Sequence, residues 1–430
     1  MRGGSSDLHV SSRVEVVVES LAAGGEGVAR VDGRVIFVPR AAPEDRALIE
    51  ITELARHHGR ARIVELLEPG PERRSAPCRH AELCGGCSWQ HVTPAGQRAA
   101  KSRIVGEALA RIAGIRLEVP VEVVHGDELH YRNRADLSIA KGTDGMPRLG
   151  YRREGSHVVE HVSECPVLVP VLESELRRFA ATPADVPADA AAARFAAGDD
   201  GARIVFVDAK DVVLGRPVAA PKSSKSGSAG PVRRVRVDEA DLRFEQSIGG
   251  LRYGFDVRAF WQGNAELVGE LVRRAVGDES GDTAYDLFCG SGLFTLPLSA
   301  RFERVVGVEN DDRAIARAST NAERNGVERA VFVASDVERH LRTIDDGAAP
   351  DLVLLDPPRR GAGTDVVAHL VRIAPRRVRY VSCDPATLAR DLKGLVSGGY
   401  RLRSIVALDL FPQTPHVECV AVLERDGDPM

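Results

Sequence analysis

Long apolar runs are missing from this chain of 430 residues. None approaches the ~18 residues that a membrane-crossing helix requires, so no transmembrane segment is expected. The amino terminus, Met1-Arg-Gly-Gly-Ser-Ser-Asp7, lacks a hydrophobic leader, which points to the cytoplasm rather than to secretion. There is no excess of positive charge either. The 58 Lys and Arg stand against 62 Asp and Glu, a formal net charge of −4. That excludes a globally basic nucleic-acid coat but not local basic surfaces. The cysteine count, 7, is not the even number of a disulfide framework, so each cysteine is a candidate for metal binding or catalysis. No internal repeat is found. What is present is ordinary: 43% hydrophobic and 28% charged residues, enough to bury sizeable cores. At ~150 residues per domain the length suggests about three domains.

Residues 1–11 are polar and Gly/Ser-rich and read as a disordered tail. From 12 to 70 the pattern is short and strand-like. Val14, Val16 and Val18 alternate, and Gly27–Val31 and Arg34–Val38 flank Asp32-Gly33, a strong hairpin signal. Arg46–Ile51 and Arg60–Leu67 add two more strands, which together predict a small antiparallel barrel of OB or SH3-like size. The pattern alone leaves open whether it binds anything.

Residues 71–255 begin with the stretch Cys78–Cys87, then a helix with Thr93 as cap, Pro94 at its first position and Gly114 at its stop. In Tyr131–Arg153, Arg132, Arg134, Lys141, Arg148, Arg152 and Arg153 outnumber two acids. Such a run is ordinarily a solvated face, but with aromatics beside it also fits a strip along a phosphate backbone. Residues 181–201 and 220–232 lack apolar periodicity and are expected to be surface loops. From 256 to 426, Ala284–Phe288, Val305–Val308, Val331–Val333, Leu352–Leu355 and Val378–Val381 alternate with helical stretches such as Ala314–Asn325 and Ala386–Leu395. That alternation predicts a doubly wound parallel sheet.

Within it, Asp286-Leu-Phe-Cys-Gly-Ser-Gly-Leu-Phe294 runs from a strand into a helix. Gly290 and Gly292 let the chain turn and a ligand approach the backbone, and Glu309, ending the next strand, can bind ribose hydroxyls. Thr295 stands where a dinucleotide fingerprint has its third glycine, which favours an adenosine ligand such as S-adenosylmethionine over NAD. Asp336 can then accept from the adenine amino group, and Asp356 closes the fourth strand at the crevice.

These residues sit among motifs that resemble the TRAM-domain RNA (uracil-5-)-methyltransferases. The motifs are Phe260-Trp-Gln-Gly-Asn264, the glycine stretch above, Asp356-Pro-Pro-Arg-Arg-Gly361, Tyr380-Val-Ser-Cys-Asp-Pro-Ala-Thr-Leu-Ala-Arg390 and Asp409-Leu-Phe-Pro-Gln-Thr-Pro-His-Val-Glu418. The resemblance spans about residues 12–426. It implies an α/β multidomain protein: an OB-like TRAM barrel that binds RNA, a central four-cysteine iron–sulfur α+β domain, and a Rossmann-like class I methyltransferase domain. It implies that Gln262, Phe288, Glu309, Asp336 and Asp356 contact S-adenosylmethionine, that Phe260 lies at the target base, and that Cys383 is the nucleophile and Glu418 the base. Asp384 departs from the Asn common in relatives; as a helix cap it would spend its charge on the backbone.

The chemistry accounts for these residue types. Carbon 5 of uracil becomes nucleophilic only after a thiolate adds at carbon 6, and a base must then remove the carbon 5 proton. Cys383 follows a buried strand and precedes a helix whose N-terminus favours a thiolate. Glu418 is the only charge in Val417–Leu423, with His416 a weaker candidate base, and Cys289 and Cys419 read as core residues. Cys78, Cys84, Cys87 and Cys165 form C-x5-C-x2-C plus a distant fourth ligand, a spacing that fits zinc and iron–sulfur equally. The resemblance favours [4Fe–4S]. The expectation is methylation of an RNA uridine, ribosomal RNA before transfer RNA, with Arg132, Arg134 and Arg152 gripping RNA and no obligate protein partner. The rivals are an RNA cytosine-5 methyltransferase, disfavoured by Pro358-Arg359 where that class has a second Cys, a catalytically silent RNA-binding iron–sulfur protein, and a NAD-dependent oxidoreductase.

Overall fold

The computed structural model describes residues 8–187, 189–210, 213–214, 242–345 and 349–427. The expected loop at 220–232 lies outside these. Most of the expected tail does too, but its last residues are fastened: Ser11 N–H donates to Ile51 O at 2.8 Å and Leu8 packs on the first core.

That core belongs to a six-stranded barrel built from Arg13–Val17, Ser20–Leu21, Gly27–Val31, Arg34–Val38, Arg46–Leu54 and His58–Glu68. Alternate residues such as Val16, Ile36, Val38, Ile49 and Ile51 point inward. The hairpin at Asp32-Gly33 forms as expected, both residues having positive φ (49° and 78°) as its tight turn requires. The sheet is not wholly antiparallel, however, because Val35–Phe37 pair in parallel with His58–Arg60 to close it.

The helix Pro94–Ala108 starts as the sequence predicts, with Thr93 Oγ1 accepting from Gly96 N at 3.1 Å. It runs on through a wider π turn to Gly114, whose φ of 73° ends it. The central sheet orders Val159–His161, Pro147–Arg152, Arg134–Lys141, Ala192–Gly198, Gly201–Val207 and Val213–Leu214. Ala192–Gly198 overturns the expected loop at 181–201. Its small side chains carry no periodic signal, yet it pairs on both edges and buries Phe195 beneath the helix Pro170–Ala181. Nor is there a clean boundary at 255. The hairpin of Arg243–Ile248 and Leu251–Asp256 puts Phe244, Tyr253 and Phe255 into the core of the last domain.

That last domain is a sheet of β1 (Gly281–Leu287), β2 (Phe302–Glu309), β3 (Ala330–Ala334), β4 (Leu352–Leu355), β5 (Arg377–Ser382), β6 (Tyr400–Leu408) and β7 (Glu418–Arg425). Their order is β3-β2-β1-β4-β5-β7-β6. The first five are parallel, and the central β4, Leu352–Leu355, is apolar and buried along its whole length, as helices on both faces require. Two features are not foreseen from the sequence: β7 is antiparallel to both its neighbours, and Glu122–Val124 adds a parallel edge strand to β6. The sheet's order reverses between β1 and β4, so the crevice opens at their carboxyl ends.

Candidate active site

Beyond β1 the chain turns sharply through Phe288, Gly290 and Gly292, with φ of 63°, 53° and 86°. Phe288 is not a glycine, and such strain persists where the surroundings over-determine it, often beside a ligand. No atom lies within 4 Å of where a Cβ on Gly290 would stand, so this face of the turn is open. Carboxylates rim it. Glu309 Oε2 accepts from Gly290 N at 3.3 Å while Oε1 accepts from Asn310 N and Asp311 N. Asp336 is exposed and caps the short helix Val337–Leu341. Asp356 follows β4, tied through its N–H to Leu287 O at 3.2 Å, and burial pushes its pKa up to about 7.

Asp286 enters the sequence pattern only as the start of a motif, yet it is fully buried behind this turn. Its Oδ2 accepts from Thr295 Oγ1, while Oδ1 has no hydrogen-bond partner among the described residues. Burial first, then the charges of Asp356 and Glu309, raise its pKa to about 7. An open turn lined by Glu309 and Asp356 and backed by Asp286 suits a cationic adenosine ligand.

On the other side of the crevice, β5 ends at Ser382 and the helix Pro385–Ser397 begins. Cys383 lies between them, half-buried. Asp384 caps the helix, its Oδ1 accepting from Ala386 N at 3.0 Å and Thr387 N at 2.8 Å, so its charge is spent on the helix as expected. Burial, then the Glu418 carboxylate, push the Cys383 thiol up to about 11, while the Arg359 guanidinium favours its thiolate. Glu418, 3% exposed, is raised well above the usual carboxylate range by burial and by Asp356, with Arg359 opposing. His416 lies at the surface and meets Arg359 Nη2 at 3.5 Å; the packing around its ring and then that guanidinium hold its pKa down. Cys289 and Cys419 are buried core residues, as expected.

Gln262 is buried nearby, whereas Phe260 is 79% exposed. An aromatic ring left that open costs apolar hydration unless something stacks on it. Its neighbours are rigid: Trp261 packs 3.4 Å from the Phe255 ring centroid and donates to Gln246 Oε1 at 2.8 Å.

A model of the tRNA (Uracil-5-)-methyltransferase family matches residues 233–426, and one of the TRAM domain matches residues 8–64. The chain is 35% identical over 434 residues to the 23S rRNA (uracil(1939)-C(5))-methyltransferase RlmD of Salmonella choleraesuis, covering 98% of this chain and 99% of that one. It is also 35% identical to an uncharacterized RNA methyltransferase of Gloeobacter violaceus, over 96% of both chains. The chain belongs to the RNA (uracil-5-)-methyltransferase family. Its fold agrees: the Pyrococcus abyssi tRNA (uracil-54, C5)-methyltransferase in complex with S-adenosyl-L-homocysteine superposes with a TM-score of 0.71 at 26% identity, covering 95% of this chain and 100% of that one.

A uracil-5 methyltransferase of this family needs a grip on RNA, and here the basic strip requires correction. Arg132 does not lie on an open face; it is half-buried and lines the cysteine pocket. Arg134 is half-buried and donates to Ala259 O, which steadies the segment bearing Phe260. Of the three, only Arg152 is exposed. Alternation explains Arg134: Ala135 and Leu137 face the core of the central sheet, so Arg134 turns to the opposite face, towards Ala259.

Cys78, Cys84, Cys87 and Cys165 are all free and line one pocket with Arg132 and Tyr151. Among the described residues no group of three or more His, Cys, Asp or Glu side chains is placed to hold a metal ion. The expected centre is thus present as four thiols round a common pocket, not as a closed ligand set. The donors around them suit sulfur: Gly86 N–H points at Cys84 Sγ (3.4 Å), and the Tyr151 hydroxyl lies 4.0 Å from Cys165 Sγ. Burial raises all four thiols, Cys84 to about 11 and Cys165 to about 12, with the neighbouring thiols adding to both. Arg132 and Arg40 oppose that rise at Cys87.

Proposed function

We propose that this protein methylates carbon 5 of a uridine in 23S ribosomal RNA, in the cytoplasm, with S-adenosylmethionine as donor. The observation that carries the reading is Cys383 and Glu418 meeting at the crevice beside the open glycine turn. The choice of ribosomal RNA rests on full-length similarity to RlmD. The likeness to a tRNA-modifying enzyme of known structure supports transfer RNA as the second reading. Mapping 5-methyluridine in RNA from cells with and without the gene tests it: loss of one such residue from 23S ribosomal RNA is expected, and loss from transfer RNA instead would move the assignment.

Gly290 and Gly292 give the donor its approach, Glu309 takes the ribose, Asp336 the adenine, and Gln262, Phe288 and Asp356 the remainder. The donor supplies a methyl group on a sulfonium. Phe260 stacks against the unstacked target base. Cys383 adds to carbon 6, carbon 5 takes the methyl group, Glu418 removes the carbon 5 proton, and the carbon–sulfur bond breaks to return the thiolate. In the free protein burial and the neighbouring carboxylates shift both Cys383 and Glu418 towards their protonated forms. A cationic ligand against Asp356 relieves that opposition, so donor binding prepares both groups.

The four thiols would hold a [4Fe–4S] cluster with a structural role. Four thiols round one pocket fit such a cluster, the resemblance favours it over zinc, and the Arg132 guanidinium that lines the pocket offsets thiolate charge. Protein purified without oxygen should be brown, with iron and acid-labile sulfide near the ~4 per chain of a cubane held by four cysteines. Colourless protein carrying one zinc would overturn the cluster. Cys84→Ala should lower solubility, since a structural site contributes folding energy.

A further inference from the structure

The turn Asp409–His416 joins β6 to β7 and delivers Glu418, yet it is held mainly by residues from the first third of the chain. The carbonyls of Phe411, Pro412 and Gln413 accept from Lys101 Nζ (3.0 Å), the Tyr131 hydroxyl (3.1 Å) and Trp89 N (2.9 Å). Gln413 is the centre of this arrangement. It is fully buried and adopts a left-handed backbone, φ 69°, although it is not a glycine. Its N–H donates to Gln97 Oε1 (2.8 Å) and its Oε1 accepts from Gln97 Nε2 (2.9 Å), a reciprocal pair. Oε1 also accepts from Arg74 Nη2 (3.1 Å), and Nε2 donates to Glu128 Oε2 (2.9 Å).

We infer that Gln413 is a positioning residue for proton removal, setting Glu418 through the clamp between this turn and the helix Pro94–Ala108. The inference rests on Glu418 being the base. The hydrogen bonds of Gln413 reach neither Cys383 nor the open glycine turn, so it acts on one step and not on the other. Cys383 is carried by β5 and the helix Pro385–Ser397; that helix packs on the helix Pro94–Ala108, but no hydrogen bond of Gln413 reaches either carrier. Disturbing Gln413 therefore leaves addition and methyl transfer in place and slows release of the methylated product, because proton transfer tolerates little misplacement of the base.

The test follows the methylated protein–RNA adduct formed by full-length protein with RNA and methyl-labelled donor, quenched in denaturant over time. Gln413→Ala is expected to form the adduct at a rate within about threefold of the parent and to resolve it at least roughly tenfold more slowly, with KM for the donor unchanged. Gln97→Ala, which removes the reciprocal pair but leaves the turn's sequence intact, should show the same split and carries the test if Gln413→Ala fails to fold. Equal slowing of formation and resolution would mean a structural role only, and normal resolution in both variants would mean none; either overturns the inference. Glu418→Gln run alongside separates the two ideas. If it accumulates adduct while the Gln413 and Gln97 variants do not, the positioning role fails and the base stands. If it accumulates none, the base assignment itself fails and the inference with it.

Discussion

Cys383 and Glu418 occupy the next register position beyond the paired residues Ser382 and Cys419, so thiol and carboxylate meet across neighbouring antiparallel strands. The carboxylate raises the proton affinity of the thiol opposite it: after burial it is the second cause of the thiol's elevation to about 11.

The two residues serve different steps, and substitution should separate them. Cys383→Ala should abolish methyl transfer and form no covalent species with RNA. Glu418→Gln should still allow addition and alkylation, then stall as a denaturant-resistant adduct carrying the label. RNA containing 5-fluorouridine should trap the parent enzyme in the same way. If Cys383→Ala still traps it, the nucleophile lies elsewhere, with Cys289 the next candidate.

Donor affinity should depend on pH in a way that product affinity does not. Burial raises Asp356 to about 7, and its ionised form attracts the sulfonium. Affinity for S-adenosylmethionine should therefore climb as pH rises through neutrality, by up to about tenfold per unit below that value. S-adenosylhomocysteine, whose sulfur is neutral, should show a flatter curve by calorimetry. Parallel curves would remove Asp356 from the donor's charge recognition.

Phe260→Ala should weaken RNA binding by about 1–3 kcal/mol, the contribution of one stacked base. The ring is 79% exposed, so the melting temperature should not move. A fall in melting temperature with RNA affinity intact would make Phe260 a packing residue.

The arginines of the basic stretch should behave differently from one another. Arg152→Glu should flatten the salt dependence of RNA binding by about 0.7–0.9 log units for each phosphate it no longer neutralises. Arg132→Glu should instead destabilise the cysteine pocket that it lines, read as a fall in melting temperature and in solubility. Similar behaviour of the two in a salt titration would argue against the pocket's dependence on Arg132.

The barrel has its own pH limit. Asp45 is fully buried, and although burial opposes its charge, hydrogen bonds from Arg73, Gly70 N and Ala42 N hold its carboxyl below the usual range. A depressed carboxylate contributes stability above its unfolded pKa of ~3.9 and loses it as pH falls through the folded value. Asp45→Asn should cost about 3 kcal/mol at neutral pH, as when a buried ion pair is deprived of one partner, measured by urea unfolding. The difference from the parent should shrink in acid.

What could be read along the chain was whatever is written locally. The Asp32-Gly33 hairpin, the Thr93-Pro94 helix start, the Asp384 cap and the parallel strands each rest on residues a few positions apart. The carboxylates at strand ends were legible because a strand's end and its ligand edge coincide in an open α/β sheet. Ala192–Gly198 was missed because alanines lack the contrast that reveals alternation. Arg132 is not legible as a pocket residue because charge in a sequence does not say whether a side chain turns to solvent or to a pocket. Asp286 and the clamp on Gln413 had no local signature, since one depends on depth behind a turn and the other on partners from distant segments.

The buried contact between Lys101 Nζ and Asp409 Oδ1, at 2.5 Å, joins residues 308 apart in the chain. At ~5–20 residues per second of synthesis, Lys101 waits roughly 15–60 s for its counter-charge. An ammonium with no accessible side-chain surface cannot be sealed in without one. The helix Pro94–Ala108 therefore takes its final seat only after the strands of the far end have been made. The barrel, whose strands pair only with one another, is free to fold long before. Birth order along the ribosome thus sets the order of assembly, with the catalytic edge of the sheet closing last.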